Sequence, residues 1–88
     1  MKVIYKYILK VQDIQDLFLP IESKILSVEE QNNEIVLYAL VDSGAESIER
    51  YSIIIHGTGH PADDIVDYNF LGTVKLFNGI GVFHVFYK

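Results

Sequence analysis

The sequence predicts an all-β fold, a small antiparallel β-sandwich or partly open barrel of about six to eight short strands. Three observations carry this. Runs rich in valine, isoleucine, tyrosine and phenylalanine alternate with polar residues at a period of two. Clusters of asparagine, aspartate, glycine and proline interrupt those runs roughly every ten residues. No window carries the apolar stripe of an amphipathic helix.

The elements follow in order. Residues Lys2 to Lys10 form a first strand, with Ile4, Lys6, Ile8 and Lys10 on one mixed face. Val3, Tyr5, Tyr7 and Leu9 make the other, largely apolar one. Ile14 to Leu19 reads as a short strand closed by Pro20, which has no N–H to donate to a ladder. The Lys24–Glu30 run and the run from Glu34 to Val41 flank Asn32-Asn33, a pair tolerant of positive φ, so they predict a tight hairpin. Asp42 to Glu46 is a turn cluster. From Ile48 to Ile55, Tyr51, Ile53 and Ile55 share one face; Arg50, Ser52 and Ile54 share the other. His56-Gly57-Thr58-Gly59-His60-Pro61 breaks regular structure. Ala62 to Asn69 is either a loop or one helical turn. Phe70–Phe77 and Gly81–Tyr87 form a final hairpin around Asn78-Gly79, a favoured type I′ pair.

The chain has 88 residues, so a single domain over 1–88 is expected. Half of the residues are apolar, a high share for a chain with so thin a core, and the surplus calls for cover by another copy or a partner. The tyrosines and the Ile53–Ile55 and Val82–Phe86 runs are the expected partner-facing segments. The absence of cysteine excludes disulfides and thiolate zinc sites. No apolar run reaches membrane-spanning length, and no signal-peptide core opens the chain. Net charge is −5, with Arg50 the single arginine, so duplex nucleic acid is not an expected ligand.

The segment His56 to Asp64 offers three chemistries. His56 and His60, with Asp63, Asp64 and His84, are metal-ligand types, yet a four-residue spacing aligns two histidines only on a helix, and the glycines make this a turn. No metal or cofactor is therefore expected. Alternatively, Gly57 and Gly59 let backbone N–H groups converge on a phosphate, with Thr58 adding a hydroxyl and His56 or His60 stacking or donating. The third reading is an irregular connection whose histidines cap backbone groups. Enzyme signatures are weak: Thr58 between two histidines and the Asp63/Asp64 pair are the only nucleophile and base candidates, and no catalytic residue is assigned. The ligand-binding candidates are His56, Gly57, Thr58, Gly59, His60, Arg50, Tyr5 and Tyr7.

Blocks along most of the chain resemble a family of small bacteriophage and prophage proteins. They include Ile4-Tyr5-Lys6-Tyr7, Gln31-Asn32-Asn33, Leu40-Val41-Asp42, Gly57-Thr58-Gly59-His60-Pro61, Leu71-Gly72-Thr73 and Phe83-His84-Val85-Phe86. The resemblance carries no assigned catalytic residues. It implies an accessory protein of the host cell cytoplasm that acts against host defence. Three functions are then expected, in this order. The first is a non-enzymatic, homo-oligomeric sponge that sequesters a small nucleotide-type immune signal. The second is an acidic inhibitor that binds a host defence or regulatory protein. The third is a small phosphodiesterase-like enzyme.

Overall fold

Alternation along the strands decides the layering. In the structure, a computed structural model describing Met1 to Lys88, the strands are β1 (Lys2–Leu9), β2 (Ile14–Pro20), β3 (Lys24–Gln31), β4 (Glu34–Asp42), β5 (Ile48–Gly57), β6 (Asn69–Leu76) and β7 (Gly81–Tyr87). A single 3-10 turn, Asp63–Ile65, lies between β5 and β6. One sheet has the order β1-β4-β3 and the other β2-β5-β7-β6, with every neighbouring pair antiparallel. Ile35, Leu37, Ala39 and Val41 of β4 face Leu19, Ile53, Ile55 and Val85 of the second sheet in one core of 13 buried residues. The result is a sandwich; the two sheets do not close into a barrel.

The sheets come closest where β3 meets β6. A Cβ on Gly72 would lie 2.9 Å from Val28 Cγ1, so only glycine fits between the layers there. Both partnered edges also carry bulges, between Ile25 and Ser27 in β3 and between Phe70 and Gly72 in β6.

The first hairpin forms as the sequence predicts. Gln31 pairs with Glu34, and Asn32 and Asn33 adopt φ of 52° and 65°. The second hairpin is centred on Asn78-Gly79 in the expected register: the Ile80 N–H donates to Phe77 O at 3.1 Å across Asn78 and Gly79, whose φ values are 57° and 86°. Pairing stops at Leu76 and Gly81, and positive φ begins at Phe77 (54°), continuing through Asn78 and Gly79. The Phe77 N–H donates to Asn33 Oδ1, 2.7 Å away, joining the two hairpin tips.

The connection from β5 to β6 is what builds the candidate site. Both strands are antiparallel to β7, which lies between them, so they run parallel to each other. After Gly57 the chain must therefore return along β7 before starting β6. The inner face is occupied by the other sheet, so residues 58–68 cross the outer one. Ile54 and His56 point outward, yet this crossover leaves them only 1% and 8% exposed. With Ile53 and Ile55 in the core, the Ile53–Ile55 run is not the partner-facing segment the composition suggested; of the Val82–Phe86 run Val85 is buried and the other four residues are half-buried. The large apolar side chains that do meet solvent include Ile4, Ile8, Phe18, Ile48, Val66 and Ile80. No helix is long and apolar enough to cross a membrane.

Candidate functional site

The three histidines come from the same end of the second sheet. His56 on β5 is paired in register with His84 on β7, which is paired with Thr73 on β6. This row is the outward face beneath and beside the crossover. His56 Nε2 lies 2.7 Å from Asp64 Oδ1, a residue the crossover carries over the sheet. At the crossover's other end the Tyr68 and Ser52 hydroxyls are 2.6 Å apart. The crossover is thus fixed to the sheet at two points.

His84 is bonded on both sides by hydroxyls. Its Nε2 lies 2.7 Å from Thr58 Oγ1, and its Nδ1 lies 2.9 Å from Thr73 Oγ1. A neutral imidazole has one donor and one acceptor, so one threonine donates to the ring while the other accepts from it. The parts of a hydrolytic triad are present but divided. Asp64–His56 is a carboxylate and base with no hydroxyl to activate; Thr58–His84 is a hydroxyl and base with no carboxylate to fix the tautomer.

The glycine loop folds back on itself. The Thr58 N–H donates to Val82 O at 3.1 Å, and the His60 N–H donates to Gly57 O at 3.1 Å. Gly59 takes φ of 88° at the tip, and the His60 ring lies over Gly57. Gly57, Thr58 and His60, with Ile80, Gly81, Val82 and Phe83, line a shallow recess of about 260 Å3. A wider depression of about 680 Å3 lies at the joined hairpin tips, lined by Glu30, Asn32, Asn33, Phe77, Asn78 and Ile80.

Of the ligand-binding residues expected from sequence, only Gly57, Thr58 and His60 meet at the recess. His56 is turned away toward Asp64, and Gly59 does not line the recess. Arg50 is at the far end of β5, where its Nη1 lies 3.2 Å from Asp16 Oδ1. Tyr5 and Tyr7 are on β1 of the other sheet. Burial, and then Tyr5 beside it, raises the Tyr7 pKa above the usual tyrosine value. An eight-residue nucleotide site is therefore not assembled within one chain. His56 and His60 also diverge, and no cluster of three or more His, Asp or Glu side chains is gathered anywhere to hold a metal ion.

A family described as "Domain of unknown function (DUF7352)" matches residues 1–88. The chain belongs to this family. Neither the curated proteins nor the solved structures contain a match to it.

In this DUF7352 domain His84, which the sequence offered as a metal-ligand type, is instead held between two threonine hydroxyls. A signal for it was present. Counting back from a hairpin centred on Asn78-Gly79 pairs Thr73 with His84, and the structure has that pair. The Thr58 contact had no such signal, since it depends on β5 pairing with β7 across a long stretch of chain.

Proposed function

We propose that this DUF7352 domain is a non-enzymatic, acidic protein-binding module whose contact surface is the crossover over β5 and β7. One observation carries the reading: the crossover is pinned at Asp64 and Tyr68, while the residues between and beside those points are presented to solvent. Val66 is 85% exposed, and Asp63 and Asp67 flank it. An apolar tip between exposed carboxylates suits a basic protein surface with an apolar hollow. Because the loop is already ordered, little conformational entropy is lost on docking. Opposite charge raises the encounter rate as well. The resemblance to phage-encoded proteins directs the choice of partner to a host defence or regulatory protein of a bacterial cytoplasm.

The nucleotide sponge is the second reading, favoured by the meeting of Gly57, Thr58 and His60 beside Phe83. It ranks lower because the donors a phosphate needs are engaged internally. The Thr58 and His60 amides bind Val82 and Gly57 carbonyls, and the Thr58 hydroxyl binds His84. Neither the single arginine nor any lysine lines the recess.

The test is a capture experiment from bacterial host lysate at low salt. The wild-type chain should retain a stoichiometric protein partner, and an Asp63→Lys/Asp67→Lys variant should lose it. Equal capture by both chains, or none by either, contradicts the reading. Calorimetry with cyclic and ADP-ribose-type nucleotides tests the sponge: saturable binding with intact ligand recovered on heating would put it first.

A further inference from the structure

Four strands lie at sheet edges, β1 and β3 in one sheet and β2 and β6 in the other. An edge strand exposes unpaired backbone donors and acceptors, and natural sheets blunt such edges with bulges, prolines, charged side chains or a covering element. Here β3 and β6 are bulged and approach each other at Val28 and Gly72. β2 ends in Pro20. β1 has neither bulge nor proline, and all eight of its residues pair with β4 in unbroken register; Lys2 and Lys6 are its only charges, so a pairing partner must avoid setting lysine against lysine.

The hydrogen-bond phase of β1 is fixed. The Ser43 N–H donates to Met1 O at 2.9 Å, which makes the odd-numbered residues the ones bonded to β4. The backbone groups of Lys2, Ile4, Lys6 and Ile8 therefore point to the free edge. On the side-chain faces, Tyr5 belongs to the inward row with Val3, Tyr7 and Leu9, yet it is 48% exposed. Ile4 and Ile8 on the outer face are 61% and 57% exposed.

We propose that β1 pairs antiparallel with β1 of a second copy, centred on Tyr5 opposite Tyr5 of the partner, joining two three-stranded sheets into one. Symmetry and charge select this register. A symmetric pairing that keeps inward and outward faces aligned must set even residues against even ones. Centring on Lys6 opposes lysine to lysine, and centring on Ile4 sets Lys2 against Lys6. Centring on Tyr7 requires Lys10, whose N–H is bonded to Gln15 Oε1 and whose carbonyl accepts from Gln12 N and Gln15 Nε2. Centring on Tyr5 sets Lys2 against Ile8 and Ile4 against Lys6, so no lysine faces another. About eight main-chain hydrogen bonds form across four such pairs. The Lys2 stem covers Ile8 of the partner, Lys6 keeps its ammonium on Gln31 Oε1 at 2.8 Å, and the two Tyr5 rings meet at a non-hydrogen-bonded site, where cross-strand side chains lie closest. This inference is independent of the protein-binding reading and reassigns Tyr5 and Tyr7 from a ligand to an interface.

Sedimentation analysis and amide hydrogen exchange test it together. Wild type should show a concentration-dependent species of twice the 10.0 kDa chain mass. Ile4→Lys, which opposes Lys6 of the partner, should weaken the dimer about tenfold or more. Ile4→Lys/Lys6→Glu should restore it. In the unmodified protein the Lys2, Ile4, Lys6 and Ile8 amides should be protected when concentrated and exchange freely on dilution, with Val3, Tyr5 and Tyr7 protected in both. A monomer throughout the micromolar range overturns the proposal. So does a dimer indifferent to Ile4→Lys, or protection of the even amides only when a different protein is added.

Discussion

His56 Nε2 and Asp64 Oδ1 lie 2.7 Å apart, and this contact closes a crossover over the outer face of the second sheet. The histidine is buried and the carboxylate is half open to solvent. Removing the carboxylate leaves a buried ring nitrogen without its partner. Asp64→Ala should cost about 1–2 kcal/mol in urea unfolding. Asp63→Ala, one residue away and with no such contact, should stay within about 0.5 kcal/mol of wild type. Equal effects of the two changes contradict the assignment of Asp64 as the anchor.

The approach of the two sheets at Gly72 makes a second prediction. A methyl group there meets Val28 Cγ1 at 2.9 Å in a packed layer, so Gly72→Ala should destabilise by about 1–3 kcal/mol. Val28→Ala in the same chain should recover part of that loss, because it removes the atom in the way. Thermal melting of the single and double variants measures this coupling.

Acid stability should depend on Asp42. The Gly44 N–H first, then the hydrogen bond and charge of the Met1 ammonium, lower its pKa below the ordinary aspartate value. A carboxylate whose pKa is depressed on folding contributes stability above its unfolded value of about 3.9 and loses it as pH falls through the folded value. Asp42→Asn should therefore melt below wild type at pH 6, with the gap closing as pH drops under about 4. A gap that persists unchanged in acid contradicts this.

At the alkaline end Tyr51 and Tyr7 behave in the opposite sense. Burial, followed by the hydrogen bond from Tyr51 Oη to Glu49 Oε1 at 3.0 Å and the charge of Glu49, raises the Tyr51 pKa. Burial also raises that of Tyr7. Their contribution is complete below the unfolded value of about 10 and is lost as pH rises through the folded values. In a spectrophotometric titration of the six tyrosines, these two should ionise late. Tyr51→Phe should remove part of the late phase.

Most strands were legible because alternation is local. Ile35 to Val41 declares a core face without knowledge of its neighbours, and Asn32-Asn33 declares its own turn. The order of strands in the second sheet is not local. Nothing in the sequence says that β7 inserts between β5 and β6, and that insertion sends residues 58–68 across the outer face. The burial of Ile54 and His56 follows from it, and so does the pairing of His56 with Asp64 rather than with a ligand. Arg50 is a ligand candidate by its chemistry, whereas its position early in β5 sets it beside Asp16, at the end of the strand away from the glycine loop.

The claim that the crossover is the contact surface is tested most directly by hydrogen exchange on the wild-type chain, alone and with its captured protein partner. The account predicts new protection at residues 62–67, with residues 57–60 and 80–83 unchanged. Protection at the recess, with the crossover exchanging as freely as before, would contradict it.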